Sequence, residues 1–238
     1  MRRALFSTAT AAASPGIVAT TMMNAYYDSH ADYLDALALG MQQEYELIHQ
    51  RGLLLQLDCP DLAMERSRYF QDLTLEEFLD HVTLHIDAIN RAVENIPAER
   101  IRLHVCWGNS DGSHVHDVPL EAILPRLYQA NVGALSIELA NPRHQHEYKV
   151  FRDHPLPEGM LLLPGVIDTT VNYVEHVEVV ADRLCQIAEA THDPSRIIAS
   201  TDCGFGTFAG MEAVAATVVW YKLRTLRQGA DLASDRLW

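Results

Sequence analysis

Ile101-Arg102-Leu103-His104-Val105-Cys106 is a short apolar run that turns chemically reactive at its end. Read as a buried strand, it carries His104 and Cys106 on one face, because side chains two apart on a strand point the same way. The pattern recurs on both sides. Residues 53–57 run into Asp58, residues 134–138 end on Glu138, residues 161–166 are followed by Asp168, and residues 197–201 run into Asp202 and Cys203. Amphipathic stretches lie between these runs. Residues 32–50 place Leu34, Leu37, Met41, Tyr45 and Ile48 at helical spacing. Thr74-Leu75-Glu76-Glu77 forms a capping box ahead of Phe78, Val82, Ile86, Ile89 and Val93. Further helices are expected over 119–129, 174–190 and 210–228. A first short strand is expected over 4–8, ahead of a small-residue loop ending at Ser14-Pro15-Gly16.

Strands alternating with helices imply parallel βα units, arranged as an open doubly wound sheet or as a TIM (β/α)8 barrel. No G-x-G-x-x-G or P-loop pattern follows any of the runs, which argues against a nucleotide-binding sheet. Reactive residues at the carboxyl ends of several different strands favour the barrel, whose active sites are built at that face. The chain carries no Pro/Ser-rich linker, so residues 1–238 are expected to form a single domain. About six strands can be counted where a closed barrel needs eight.

The chain has 238 residues, with Lys+Arg 18 against Asp+Glu 32 and a formal net charge of −14. A field of that sign repels phosphate backbones and anionic lipid surfaces, so neither nucleic acid nor membrane is an expected partner. No apolar run approaches the ~20 residues of a membrane-spanning helix. Cys59, Cys106, Cys185 and Cys203 are too few and too scattered for a disulfide framework, which makes the cytoplasm the default compartment. Residues 1–27 contain Arg2 and Arg3 and no acid, as a transit peptide does, but the strand-and-loop reading is preferred.

His104 and Cys106 suit two-point metal attachment, and in a parallel barrel Glu138 and Cys203 converge on the same mouth. A histidine, two cysteines and a carboxylate suit Zn²⁺. The plainer readings are an inert buried thiol for Cys203 and a capping carboxylate for Glu138. His114, His116, His144 and His146 read first as solvated loop histidines, and Cys59 and Cys185 as structural. Met22-Met23 and Tyr26-Tyr27 read as packing residues, and the apolar stripe of the last helix as core.

With these stretches in view, the chain resembles the catalytic barrel of cobalamin-independent methionine synthase and its relatives, which include epoxyalkane:coenzyme M transferase. The resemblance is carried by Gln56-Leu57-Asp58-Cys59-Pro60, His104-Val105-Cys106-Trp107-Gly108-Asn109, Ile137-Glu138, Pro164-Gly165-Val166-Ile167-Asp168 and Thr201-Asp202-Cys203-Gly204-Phe205-Gly206. It implies a TIM (β/α)8 barrel that begins at the family's third strand, without the first two βα units. It also implies a zinc ion held by His104, Cys106, Cys203 and a displaceable Glu138, on which a small-molecule thiol is alkylated. Asp58 then matches the carboxylate that holds the amino group of homocysteine, with Asn109, Asp168 and Asp202 around the substrate. The expected partners are a thiol and an alkyl or methyl donor such as a folate, and an oligomer or a partner chain that covers the missing strands.

Two departures stand out. Cys59 replaces the Glu of the methionine synthases, and Thr170 occupies the position of the family's proton-donating His, which leaves His116 or His144 as substitutes. The electrophile is therefore open between a methyl donor and an epoxide. A zinc-binding relative without activity is the third reading.

Overall fold

Five short strands lie side by side in chain order in the computed structural model, which describes residues 8–207, 210 and 213–238. They are β1 (Ala9–Ala13), β2 (Leu54–Asp58), β3 (Ile101–Val105), β4 (Ala134–Ile137) and β5 (Leu161–Pro164), and all pair in parallel. A doubly wound sheet reverses its strand order at a switch point. This one never reverses, so its strands wind one way, as in a barrel. The register sets Asp58 opposite His104 and His104 opposite Ser136, which brings three strand ends level.

The helices are α1 (Pro15–Thr21), α2 (His30–Gln50), α3 (Glu65–Arg68), α4 (Leu75–Ala92), α5 (Leu120–Leu127), α6 (Val177–Thr191) and α7 (Ala216–Leu237). The capping box forms as expected: the Glu77 N–H donates to Thr74 Oγ1, and the Thr74 N–H donates to Glu77 Oε2. Phe78, Val82, Ile86 and Ile89 of α4 then bury against Leu55, Leu57, Leu103 and Leu135 of the sheet in one continuous core. Among the described residues no helix is long and apolar enough to cross a membrane.

Four expectations change. The strand expected over 4–8 falls almost wholly on residues 1–7, outside the described residues, and the first strand is Ala9–Ala13. An alanine-rich segment has weak strand propensity, and here pairing with β2 decides its conformation. The run over 197–201, the sixth segment, pairs with β5 through the bridges Leu162↔Ile197 and Gly165↔Ser200 and backbone hydrogen bonds to Leu162, Pro164 and Val166, but does not form a full strand. The last helix, expected over 210–228, is α7 and continues through a buried Gly229; residues 208–209 and 211–212 lie outside the described residues. Its buried face is Lys222, Thr225, Gly229 and Ala233, whereas Trp220 and Tyr221 are exposed. Met23 and Tyr26 are likewise exposed rather than packed.

Candidate metal centre and cavity

The carboxyl ends of β1 to β4 and the sixth segment open onto a cavity of about 600 Å³. His104, Cys106 and Cys203 stand together on its wall. One donor atom from each lies within 4.8 Å of the others, and all three side chains are buried. The strand geometry of β3 delivers the first two, and the turn after the sixth segment delivers the third.

Electrostatics in the cluster are dominated by sulfur. A hydrogen bond from Cys203 holds Cys106 well below the usual thiol range; burial opposes this, and His104 assists it. The same pairing, together with burial, pushes Cys203 well up. The two sulfurs are thus shifted in opposite directions by the one hydrogen bond between them. Burial lowers the His104 imidazole, but the bond to Cys106 and the charges of Cys106, Asp58 and Glu138 carry it above its ordinary value. His104 Nδ1 lies 3.2 Å from the Ser136 hydroxyl, which orients the ring and leaves its other nitrogen as a donor atom.

Glu138 stands behind the cluster. Its Oε1 accepts from the Cys203 thiol at 3.2 Å and from the Trp107 N–H at 3.3 Å, and its Oε2 accepts from Asn141 Nδ2 at 2.9 Å. Burial, then the charges of Cys106 and Asp202, raise its pKa to about 8. Buried imidazole and thiolate donors of this spacing fit a borderline-soft ion such as Zn²⁺, with Glu138 one hydrogen bond away.

The remaining expected residues divide into two groups. Asp58 and Asn109 line the cavity. Asp58 projects from the end of β2, and its carboxyl is raised above its ordinary value by burial and by the charge of Cys106. Asn109 bridges three loops: its Nδ2 donates to Gly204 O and Thr207 Oγ1, and its Oδ1 accepts from Thr169.

Asp202 and Asp168, by contrast, are buried away from the cavity wall. The oxygens of Asp202 accept the backbone N–H groups of Leu139, Ala140 and Asn141 at 2.8–2.9 Å, and Asn141 Nδ2 at 3.2 Å. Gly165 makes this possible: a Cβ there would collide with that carboxylate and lie 2.6 Å from the Asp202 Cα. Asp168 Oδ1 accepts both the N–H and the hydroxyl of Thr170. Its backbone is held by Glu175 and by Lys222, itself fully buried. Both aspartates hold loops and lie off the cavity wall.

Neither substitute histidine reaches the cavity. His116 lines a separate, smaller hollow beside the loop at 110–116. His144 is buried, not solvated: Nδ1 meets Glu147 at 2.7 Å, Nε2 meets Asp117 at 3.1 Å, and the ring stacks on Trp107.

Sequence reasoning overlooked Ser136, Asn141, Glu65 and Arg68. Ser136 was available as a lone hydroxyl in an apolar run, two residues before Glu138 on the same face. Glu65 and Arg68 lie on the cavity wall from α3, a single turn with no periodic signal.

Comparison with known proteins gives the family and the fold. Residues 17–222 match the family model described as the catalytic domain of cobalamin-independent synthase, and the chain belongs to that family. It is 24% identical over 205 residues to 2-hydroxypropyl-CoM lyase of Xanthobacter autotrophicus, covering 75% of this chain and 50% of that one. It is 27% identical over 198 residues to methionine synthase of Thermoplasma acidophilum, covering 77% and 53%. A B12-independent methionine synthase from a Shewanella species, solved with selenomethionine, superposes with a TM-score of 0.72 at 20% identity, over 95% of this chain and 62% of that one. That protein is a TIM barrel, so the parallel sheet and its helices are part of such a barrel. The chain spans about half the length of the relatives it matches.

Proposed function

We propose that the chain binds Zn²⁺ through His104, Cys106 and Cys203, with Glu138 as an exchangeable fourth ligand, and transfers an alkyl group to the sulfur of a small thiol in the cavity. The observation that carries this reading is the buried nitrogen-and-sulfur donor set on the wall of a cavity that Asp58 also lines. Bound there, zinc would make the substrate thiolate available near neutral pH, where a free thiol with a pKa of about 8.5 is mostly protonated. Asp58 holds a cationic or hydrogen-bonding end of the thiol and fixes the direction in which its sulfur points. Ser136 keeps the His104 ring in place, and Asn109 holds the loops that form the cavity rim.

Methyl transfer from a folate needs a proton for the leaving amine, and epoxide opening needs one for the alkoxide it releases; Thr170, whose hydroxyl donates to Asp168, is no general acid near neutrality for either. Neither His116 nor His144 lines the cavity. Zinc-loaded protein should be offered homocysteine and 2-mercaptoethanesulfonate, each with a methyl donor and with a short epoxide, and thioether formation followed by mass spectrometry. Methylated homocysteine supports a methionine synthase-like activity in methionine biosynthesis, and a hydroxyalkyl thioether supports the ring-opening reading. No thioether from any pair, with zinc shown to be bound, would leave a zinc-binding relative without activity.

A further inference from the structure

A second cluster of metal-ligating side chains lies on the helical layer. His30 opens α2, and His81 and His85 sit one turn apart on α4. One ring nitrogen of each lies within 4.8 Å of the others. None of the three lines the cavity, and the function proposed above gives them no part.

The cluster is built. His85 is buried, and its Nδ1 lies 2.8 Å from Asp61 Oδ2, with Asp61 buried as well and accepting from the Ser14 hydroxyl at 2.6 Å. That contact fixes the tautomer: Nδ1 carries the proton toward the carboxylate, and Nε2 presents a lone pair. A carboxylate behind a histidine is the usual support of a metal-bound imidazole. The Nε2 atoms of His85 and His30 are 3.2 Å apart. Two imidazole nitrogens on one tetrahedral zinc, each at ~2.0–2.1 Å, lie about 3.3 Å from each other. His81 stacks on Phe70, and its buried Nδ1 has no hydrogen-bond partner. The backbone of α1 closes over the supporting pair at Gly16, where any Cβ would collide with the Asp61 carboxylate and His85 Nδ1.

Simple packing is the competing account. Three imidazoles can fill a half-buried gap, and His30 can donate to His85. Packing alone does not explain the convergence of one nitrogen from each ring, the spacing of four residues that suits two ligands on one helical face, or the unpartnered nitrogen of His81.

We propose that His30, His81 and His85 form a second metal site, which takes a divalent first-row transition ion such as Zn²⁺ on three neutral imidazoles. The donor set is all nitrogen, without sulfur or carboxylate, which separates it chemically from the cluster at the strand ends and excludes Mg²⁺ and Ca²⁺. An ion there would tie the start of α2 to α4. Through Asp61 and Ser14 it would also brace the β1 and β2 loops beside Asp58.

The test is metal binding by the full chain, with Zn²⁺ for stoichiometry and Co²⁺ for spectroscopy. Wild-type protein should hold about two Zn²⁺ per chain and the Cys106→Ser/Cys203→Ser variant about one. In that variant bound Co²⁺ should show d–d bands without a thiolate-to-cobalt charge-transfer band. His30→Gln/His81→Gln should lose one ion in either background, and in the wild-type background keep the charge-transfer band. The proposal is overturned if wild-type protein saturates with one ion and that ion, as Co²⁺, shows the charge-transfer band, or if the His variant retains the full wild-type content. Because the charge-transfer band reports only the sulfur cluster, failure of one site is read separately from failure of the other. Should the Cys variant not fold, the comparison of wild type with His30→Gln/His81→Gln still decides the matter.

Discussion

The two sides of the cavity are built on different terms. On the side of β3, β4 and the sixth segment, the supporting polar groups are engaged: Asp202 holds three backbone N–H groups, Glu138 accepts from Cys203, Trp107 and Asn141, and His144 is clamped between two carboxylates. On the side of β2 and α3, Asp58, Glu65 and Arg68 face the cavity, and Glu65 keeps a buried carboxylate oxygen without a partner. The difference separates placement from recognition. Side chains whose bonds are complete within the protein hold the donor atoms still, whereas those with capacity to spare are the ones a ligand can use.

The strongest way to break this comparison is Asp202→Ala. It leaves three buried N–H groups without an acceptor, each worth about 1–3 kcal/mol, so a stability loss of about 4 kcal/mol or more is expected in denaturant melts, together with loss of zinc. A loss below about 1 kcal/mol would mean that the loop does not depend on this carboxylate.

His144→Gln comes next and has a pH signature. Burial lowers the imidazole, but Asp117 and Glu147 more than offset this and raise its pKa to about 9 from 6.5. The folded state binds the proton more tightly than the unfolded chain, so the stabilisation is complete below pH 6.5 and is lost as pH rises through about 9. The variant should therefore be destabilised by roughly 2–3 kcal/mol at pH 6, with the deficit fading above pH ~9. A pH-independent deficit would show that the imidazolium is not what the clamp holds.

On the other side of the cavity the effects should move from stability to activity. Asp58→Ala should change stability by no more than about 0.5 kcal/mol while lowering kcat/KM for an amino-bearing thiol by roughly 10- to 100-fold, the size of one charge-assisted hydrogen bond. An unchanged kcat/KM would remove Asp58 from substrate binding. Asn109→Ala should fall between the two patterns: about 1 kcal/mol less stable from the lost loop bridges, with zinc content unchanged by metal analysis.

Much of this division was hidden in the sequence. The cluster of His104, Cys106 and Cys203 was legible because His104 and Cys106 obey the strand period and because Cys203 follows a run of the same kind. The roles of Asp168 and Asp202 were not. Their position after a strand is the same as that of Asp58, and only the return of the 139–141 backbone onto Asp202, or of Thr170 onto Asp168, tells a loop anchor from a free carboxylate. The α4 helix declared itself through its capping box and apolar spacing. The alanine strand β1 did not, because its conformation is set by β2 and not by its own side chains. The histidines of α2 and α4 escaped notice for a related reason: His30 is far in sequence from His81 and His85, and only the packing of two helices unites them.

The sixth segment meets the sheet at two isolated bridges, yet it delivers a donor sulfur to the cluster. Its backbone is bonded to β5 and the loop after it, with Ile198, Ser200 and Asp202 donating to Leu162, Pro164 and Ile167 and Val166 donating to Ser200, and the Asp202 side chain adds a latch on the β4 loop, one residue away from Cys203. Moving the Cys203 sulfur therefore means parting backbone bonds as well as the latch. If the proposed ion is held there, chelators should strip it at a rate that follows the opening of this segment and not global unfolding.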